Sequence, residues 1–200
     1  MPYVSKQKWF EYRERIWSVN PSKSGLRTDI LKAILGELDE MLCRHRKVFV
    51  WRFDLHLPYA TDDNKLITDF NRRLKKRVVR HYQSEYGFAW AREQEKAKSQ
   101  HYHFVLILNG SKVNYYHQLE KWVREIWEYH GSVFIGDAGG HHSGSAYHNL
   151  ERDYHEAIDA ASYHISYLAK PRGKGYRPKQ TKDFGSSRLR NSRNSKHRRC

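Results

Sequence analysis

Residues 86–110, YGFAWAREQEKAKSQHYHFVLILNG, decide the fold. Tyr86–Gln94 and the run from Gln100 to Asn109 are both rich in β-formers, and the polar Lys96-Ala97-Lys98-Ser99 between them reads as a turn. The segment is therefore two consecutive strands. Side chains alternate along a strand, so His101 and His103 share one face while Tyr102 points to the other. Two neutral imidazoles side by side on a rigid element make half of a metal site.

Upstream of this pair, Lys47–Leu57 (KVFVWRFDLHL) alternates and is closed by Pro58, which predicts another strand. Between them, residues 61–82 carry Leu66, Ile67, Phe70, Leu74 and Val78 at helical spacing, with seven bases on the outer side. Downstream, Leu119, Trp122, Val123, Ile126 and Trp127 predict a helix over 114–129, ended by His130-Gly131, then a short strand at 132–135. A Gly/His/Ser loop (136–145), a strand near 146–150 and a helix over 156–169, stopped by Pro171, complete the pattern. The order β-α-β-β-α-β predicts an α+β, ferredoxin-like (RRM-like) antiparallel sheet with helices packed on it. In that order the strand of Asp54 and His56 lies against His101 and His103. Residues 28–45 repeat apolar positions (Ile30, Leu31, Ile34, Leu35, Leu38, Met41, Leu42) as a helix does, and residues 1–20 mix Trp9, Phe10, Tyr12 and Trp17 with charges as a packing arm. The chain divides into an N-terminal helical extension (1–46), a central domain (47–170) and a basic, flexible C-terminal arm (171–200).

The charge is uneven. The 200 residues carry a net +15. Residues 171–200 hold 11 Lys and Arg against one acid, Asp183, a net +10, which leaves +5 for residues 1–170. Such a tail suits polyphosphate partners. The longest apolar run, 104–108, is far short of a membrane span, and the N-terminus MPYVSK has no apolar signal region. Cys43 and Cys200 form neither a CxxC pair nor a disulfide framework, which fits a reducing cytoplasm.

Chemistry concentrates in two places. The pair His101 and His103 needs a further ligand, and Glu93, Glu95, Asp54 and His56 are within reach of the predicted sheet; a carboxylate beside imidazoles suits Mg²⁺ or Mn²⁺. On the last helix, Tyr163 and Tyr167 are four residues apart and Lys170 follows by three, so the three share a face. A tyrosine hydroxyl attacks phosphorus once the phosphate is polarised and a cation stands nearby. Each cluster alone is commonplace; their occurrence together in a basic α/β chain is not.

These stretches resemble the HUH endonuclease superfamily of rolling-circle replication initiators, and more closely the inovirus-type and YagK/YfjJ-like prophage replication proteins. The matching text is KVFVWRFDLHLP (47–58), WAREQEKAKSQHYHFVLILNG (90–110), SYHISYLAKP (162–171) and TKDFGSSRL (181–189). Residues 1–46 carry no such resemblance. The resemblance implies a metal-dependent DNA endonuclease and strand transferase that nicks single-stranded origin DNA through a 5′-phosphotyrosine and rejoins it. It implies His101 and His103 as metal ligands, with Glu93 the first choice for a third and Glu95 and Asp54 behind it. It also implies Tyr163 and Tyr167 as nucleophiles and Lys170 as the assisting base, working in a bacterial cytoplasm with host helicase and polymerase. No P-loop occurs in the chain, so a helicase comes from elsewhere. The competing reading is a non-catalytic single-strand-binding protein on the same sheet, stacking bases on Trp51, Phe53, Tyr102 and Phe104.

Overall fold

The computed structural model describes residues 3–94, 99–135 and 146–189. The chain begins with β1 (Val4–Ser5), a hairpin of β2 (Trp9–Tyr12) and β3 (Arg15–Ser18), and β4 (Leu26–Arg27), which returns to pair with β1. Residues 4–27, expected within a helical extension, thus hold short strands. The hairpin turns on Arg13 and Glu14, both at positive φ (54° and 62°), a two-residue turn whose twist matches its strands. With no glycine or asparagine at the turn, the sequence gives no hairpin signal there.

Helix α1 (Thr28–Arg44) follows, then β5 (Lys47–Leu57), α2 (Lys65–Tyr82), β6 (Tyr86–Gln94), β7 (Gln100–Asn109), α3 (His117–Trp127), β8 (Ser132–Phe134), β9 (Tyr147–Glu151) and α4 (His155–Ile165). A 3-10 turn (Ser166–Ala169) extends α4, and β10 (Phe184–Ser186) comes last. The main sheet has six strands in the order β10-β6-β7-β5-β8, all neighbours antiparallel, with β9 also pairing β5. The central strand pair matches the expectation: Asp54 faces His103 and His56 faces His101. Gly131 lets β8 dock, since a Cβ there would stand 1.9 Å from the His56 carbonyl oxygen.

Alternation divides the core in two. Phe49, Trp51, Phe53, Tyr102, Phe104 and Leu106 point to one face of the sheet and are covered by Ile67, Phe70, Leu74 and Val78 of α2 and by Leu119, Val123, Ile126 and Trp127 of α3. Val48, Val50, Ala89, Ala91, Val105 and Ile107 point to the other, under α1 and α4. On that second face the three central strands turn from apolar to polar at one level. Past Val50 come Arg52, Asp54 and His56; past Ala91 comes Glu93; before Val105 stand His103 and His101. The polar level lies beyond the part of the sheet that α1 seals.

Residues 171–189, expected in a flexible arm, run along the β6 edge. Asp183 accepts from Arg27 (Nη1, 2.7 Å) and Arg177 (Nε, 2.6 Å), β10 pairs with Ala89–Ala91, and Glu37 accepts from Ser187 Oγ and the Arg188 amide, both at 2.5 Å. Their Gly, Ser and Lys composition imitates a linker, but Lys174, Arg177 and Asp183 are paired within the fold. Residues 190–200 of that arm, and the loop 136–145 with His141 and His142, lie outside the described residues. Cys43, at the end of α1, is 8% exposed, and Cys200 lies outside the described residues. Among the described residues no helix is long and apolar enough to cross a membrane.

Candidate active site

The polar level of the sheet is centred on His103, whose side chain is 6% exposed. Its Nδ1 is 2.7 Å from Asp54 Oδ1, directly across the β5–β7 ladder. Its Nε2 is 3.1 Å from Glu93 Oε2, reached diagonally from β6. That second approach is close without being aligned as a hydrogen bond, and Nε2 is a buried nitrogen with no hydrogen-bond partner. Burial lowers the basicity of His103, but the two carboxylates outweigh it and leave its pKa raised. Burial pushes the Asp54 carboxyl up while His103 and Arg52 pull it further down, for a net lowering.

Glu93 is held from its other side. Lys174 Nζ lies 2.6 Å from Glu93 Oε1 and donates to the Lys170 carbonyl at 2.5 Å, with its side chain 1% exposed. Burial raises the Glu93 carboxyl, but His103 and Lys174 bring it down to about 2. Lys174 reaches this place because Gly173, at φ 69°, turns the chain against β6, where its carbonyl accepts from the Gln94 amide at 2.8 Å. Burial in turn depresses Lys174, with Glu93 opposing.

Of the expected nucleophiles, Tyr167 is the one whose ring meets His103, edge to face with centroids 5.4 Å apart. Arg52 Cζ stands 4.4 Å from the Tyr167 ring centroid and Lys170 Nζ 4.9 Å. Tyr163 lies one turn earlier, on α4 proper, and is half-buried. The expectation of one continuous helical face needs correction here. Helix α4 ends at Ile165, Tyr167 belongs to the 3-10 turn, and Lys170 is extended (φ −60°, ψ 134°). Pro171 supplies the reason, since its ring disfavours the helical conformation in the residue before it. Lys170 Nζ also donates to Ser22 Oγ at 3.0 Å; burial and then Arg52 lower its pKa. The N-terminal segment pins this whole element: Ser162 Oγ donates to the Ser18 carbonyl at 2.8 Å, and the Asn20 amide donates to Ser166 Oγ at 2.9 Å.

His101 occupies the same face one row further out, opposite Glu93 in register. Its Nε2 is 3.2 Å from Ser99 Oγ, and its ring stacks on His56 with centroids 4.1 Å apart. The structure thus brings together His103, Glu93, Asp54, Tyr167 and Lys170, and places His101 beside them. Among the described residues, no group of three or more His, Cys, Asp or Glu is gathered as a metal cluster. Glu95, an alternative third ligand, lies outside the described residues. Asp54, the other, sits on Nδ1 behind the ring, where it orients His103 instead of flanking Nε2.

The donor set nonetheless fits a hard divalent cation. An unbonded imidazole nitrogen faces a carboxylate oxygen at 3.1 Å, about the edge expected for two neighbouring ligands at ~2.1 Å from one ion. A carboxylate on the far ring nitrogen is the usual outer partner of a metal-binding histidine.

Arg52 and Lys174 were not singled out from the sequence. Arg52 had a signal: it is the first charge after Val48 and Val50 on that face of β5, two residues before Asp54. Lys174 had none beyond following the Pro-Arg-Gly turn. A second histidine pair also went unseen. His148 Nε2 of β9 and His164 Nδ1 of α4 are 2.9 Å apart, and burial depresses them to about 4 and about 3, Arg52 adding to the effect at His164. The proposed base-stacking aromatics are core residues: Trp51, Phe53, Tyr102 and Phe104 are 0–1% exposed beneath α2 and α3. They offer bases no surface.

A family profile, the YagK/YfjJ C-terminal domain, matches residues 13–187. The match takes in the β2–β3 turn and α1, which the motif resemblance left outside, and reaches into β10's segment. Comparisons with curated proteins and with solved structures find no match.

Proposed function

The chain belongs to the YagK/YfjJ C-terminal domain family, and from the geometry of its site we propose that it is an HUH-type, metal-dependent nickase and rejoining enzyme for single-stranded origin DNA. Family membership is consistent with a phage or prophage protein. The strand order β6-β7-β5-β8, with α2 and α3 as its crossovers, supports the ferredoxin-like reading that this class of enzyme implies.

The observation that carries the proposal is the contact of Tyr167 with His103 while His103 Nε2 faces Glu93. Tyr167 and His103, 64 positions apart in sequence, meet on one sheet face. His103 and Glu93, with His101 in the next row, would hold Mg²⁺ or Mn²⁺. Such an ion supplies Lewis-acid polarisation of the scissile phosphate and neutralises its charge. Asp54 orients the imidazole, and Lys174 fixes Glu93 so that one carboxylate oxygen stays directed at His103. Arg52 and Lys170, on the Tyr167 ring, put positive charge where the phosphate must lie.

In the reaction the Tyr167 oxygen attacks phosphorus, forming a phosphotyrosine bond as the P–O3′ bond breaks. The phenolic proton passes to solvent or a nearby base, and the leaving 3′ oxygen is protonated to a free hydroxyl. Tyr163, a turn away, serves the second cleavage. Incubation with single-stranded origin DNA and Mn²⁺ yields an SDS-stable protein–DNA adduct, absent with EDTA. An adduct formed equally well by a Tyr163→Phe/Tyr167→Phe variant refutes the proposal.

A further inference from the structure

Helix α2 lies across the sheet from Tyr167 and His103, and its outer side is a field of unneutralised positive charge. Its apolar residues Ile67, Phe70, Leu74 and Val78 are all buried against the sheet. Outward point Arg72, Arg73, Lys75, Lys76 and Arg80, all exposed. Arg72 is paired with Asp69 at 3.2 Å, but Arg73, Lys75, Lys76 and Arg80 make no ion pair among the described residues. Residues 72, 76 and 80 form a row along the axis, with ~6 Å of rise between successive members. Four free cations within eight residues repel one another, and nothing in the core requires them, because the buried stripe is complete without them.

We propose that this face is a docking surface for the phosphate backbone of duplex nucleic acid, separate from the single-strand site. Spacing and charge both suit a row of phosphates, which arginine and lysine contact without reading sequence. An anionic membrane fits less well. Interfacial helices bury an exposed apolar face in lipid, whereas the outward apolar contribution here is Val79 alone, at 41% exposure. The sheet stands between this surface and Tyr167, so a short strand held at the tyrosine does not occupy it. Duplex flanking a melted origin would lie here while the nicked strand crosses the other face. The surface stands on exposure and charge, and holds even if neither tyrosine forms an adduct.

The test is binding of a random-sequence 20-base-pair DNA duplex to the full chain in EDTA, across a salt series. Its subject is the Arg73→Gln/Lys75→Gln/Lys76→Gln/Arg80→Gln variant, with Lys6→Gln/Lys8→Gln/Lys32→Gln/Lys112→Gln as a charge-matched control. All eight positions are exposed, and circular dichroism verifies the fold. The α2 variant is expected to flatten the slope of log affinity against log salt by about 3 to 4, while the control keeps most of it. Equal flattening by both variants, an unchanged slope in the α2 variant, or α2-dependent binding to phosphatidylserine vesicles but not to duplex overturns the proposal.

Discussion

Lys174 shows how much of the site depends on one side chain that reads as tail. Its buried ammonium is the counter-charge of Glu93, and removing one member of a buried pair strands the other. Lys174→Met is expected to cost about 3–5 kcal/mol in urea denaturation, and adding Glu93→Gln recovers part of that. A double variant no more stable than Lys174→Met alone would contradict the pairing. The histidines of β9 and α4 give a pH signature. His148 and His164 are held neutral by burial, while in the unfolded chain each protonates near ~6.5. The unfolded state therefore binds more protons below that value, so stability rises with pH across the window. Their contribution is whole above about 6.5 and is lost as pH falls toward the folded values of about 4 and about 3. His148→Gln/His164→Gln should flatten the acid limb of a Tm-versus-pH curve between pH 6.5 and 4. Parallel curves for variant and parent would show that the pair does not titrate in this way.

The elements were legible wherever period and punctuation agreed. β5 and β6 run over the predicted residues because alternation ends at Pro58 in one and at a polar stretch in the other. Asp54 and His56 lie beside His103 and His101 because the β-α-β-β order leaves little choice of neighbour. What escaped was local structure whose chemistry is unusual for its shape. The β2–β3 turn uses Arg13 and Glu14 where a glycine would announce it, and β10 hides in a basic stretch that resembles a linker. From the sequence the choice among Glu93, Glu95 and Asp54 stays open, since register alone cannot say which carboxylate reaches diagonally to His103. Truncation separates the two halves of the tail. A chain ending at residue 189 serves as the reference. One ending at 173, lacking Lys174, Asp183 and β10, should unfold many degrees lower, and equal Tm values would contradict the packing of this segment.

At the scale of the molecule, the sheet separates the proposed cleavage site from the proposed duplex surface. One face carries Tyr167, His103, Glu93 and Lys170 where the apolar core stops, and the other carries α2 with its cations turned outward. The N-terminal hairpin belongs to the first half of this plan. Asn20 and the Ser18 carbonyl hold the tyrosine-bearing element in place, in keeping with a family match that begins at residue 13. The central claim is that Tyr167, poised on His103, is the residue that first takes the cleaved strand. Peptide mapping of the adduct formed with single-stranded origin DNA and Mn²⁺ tests it most directly. The account predicts a nucleotide-modified peptide linked through Tyr167, with Tyr167→Phe reducing the initial adduct at least 100-fold and Tyr163→Phe leaving it largely intact. An adduct mapped to a residue other than Tyr163 or Tyr167, or an initial adduct carried by Tyr163 alone, would contradict it.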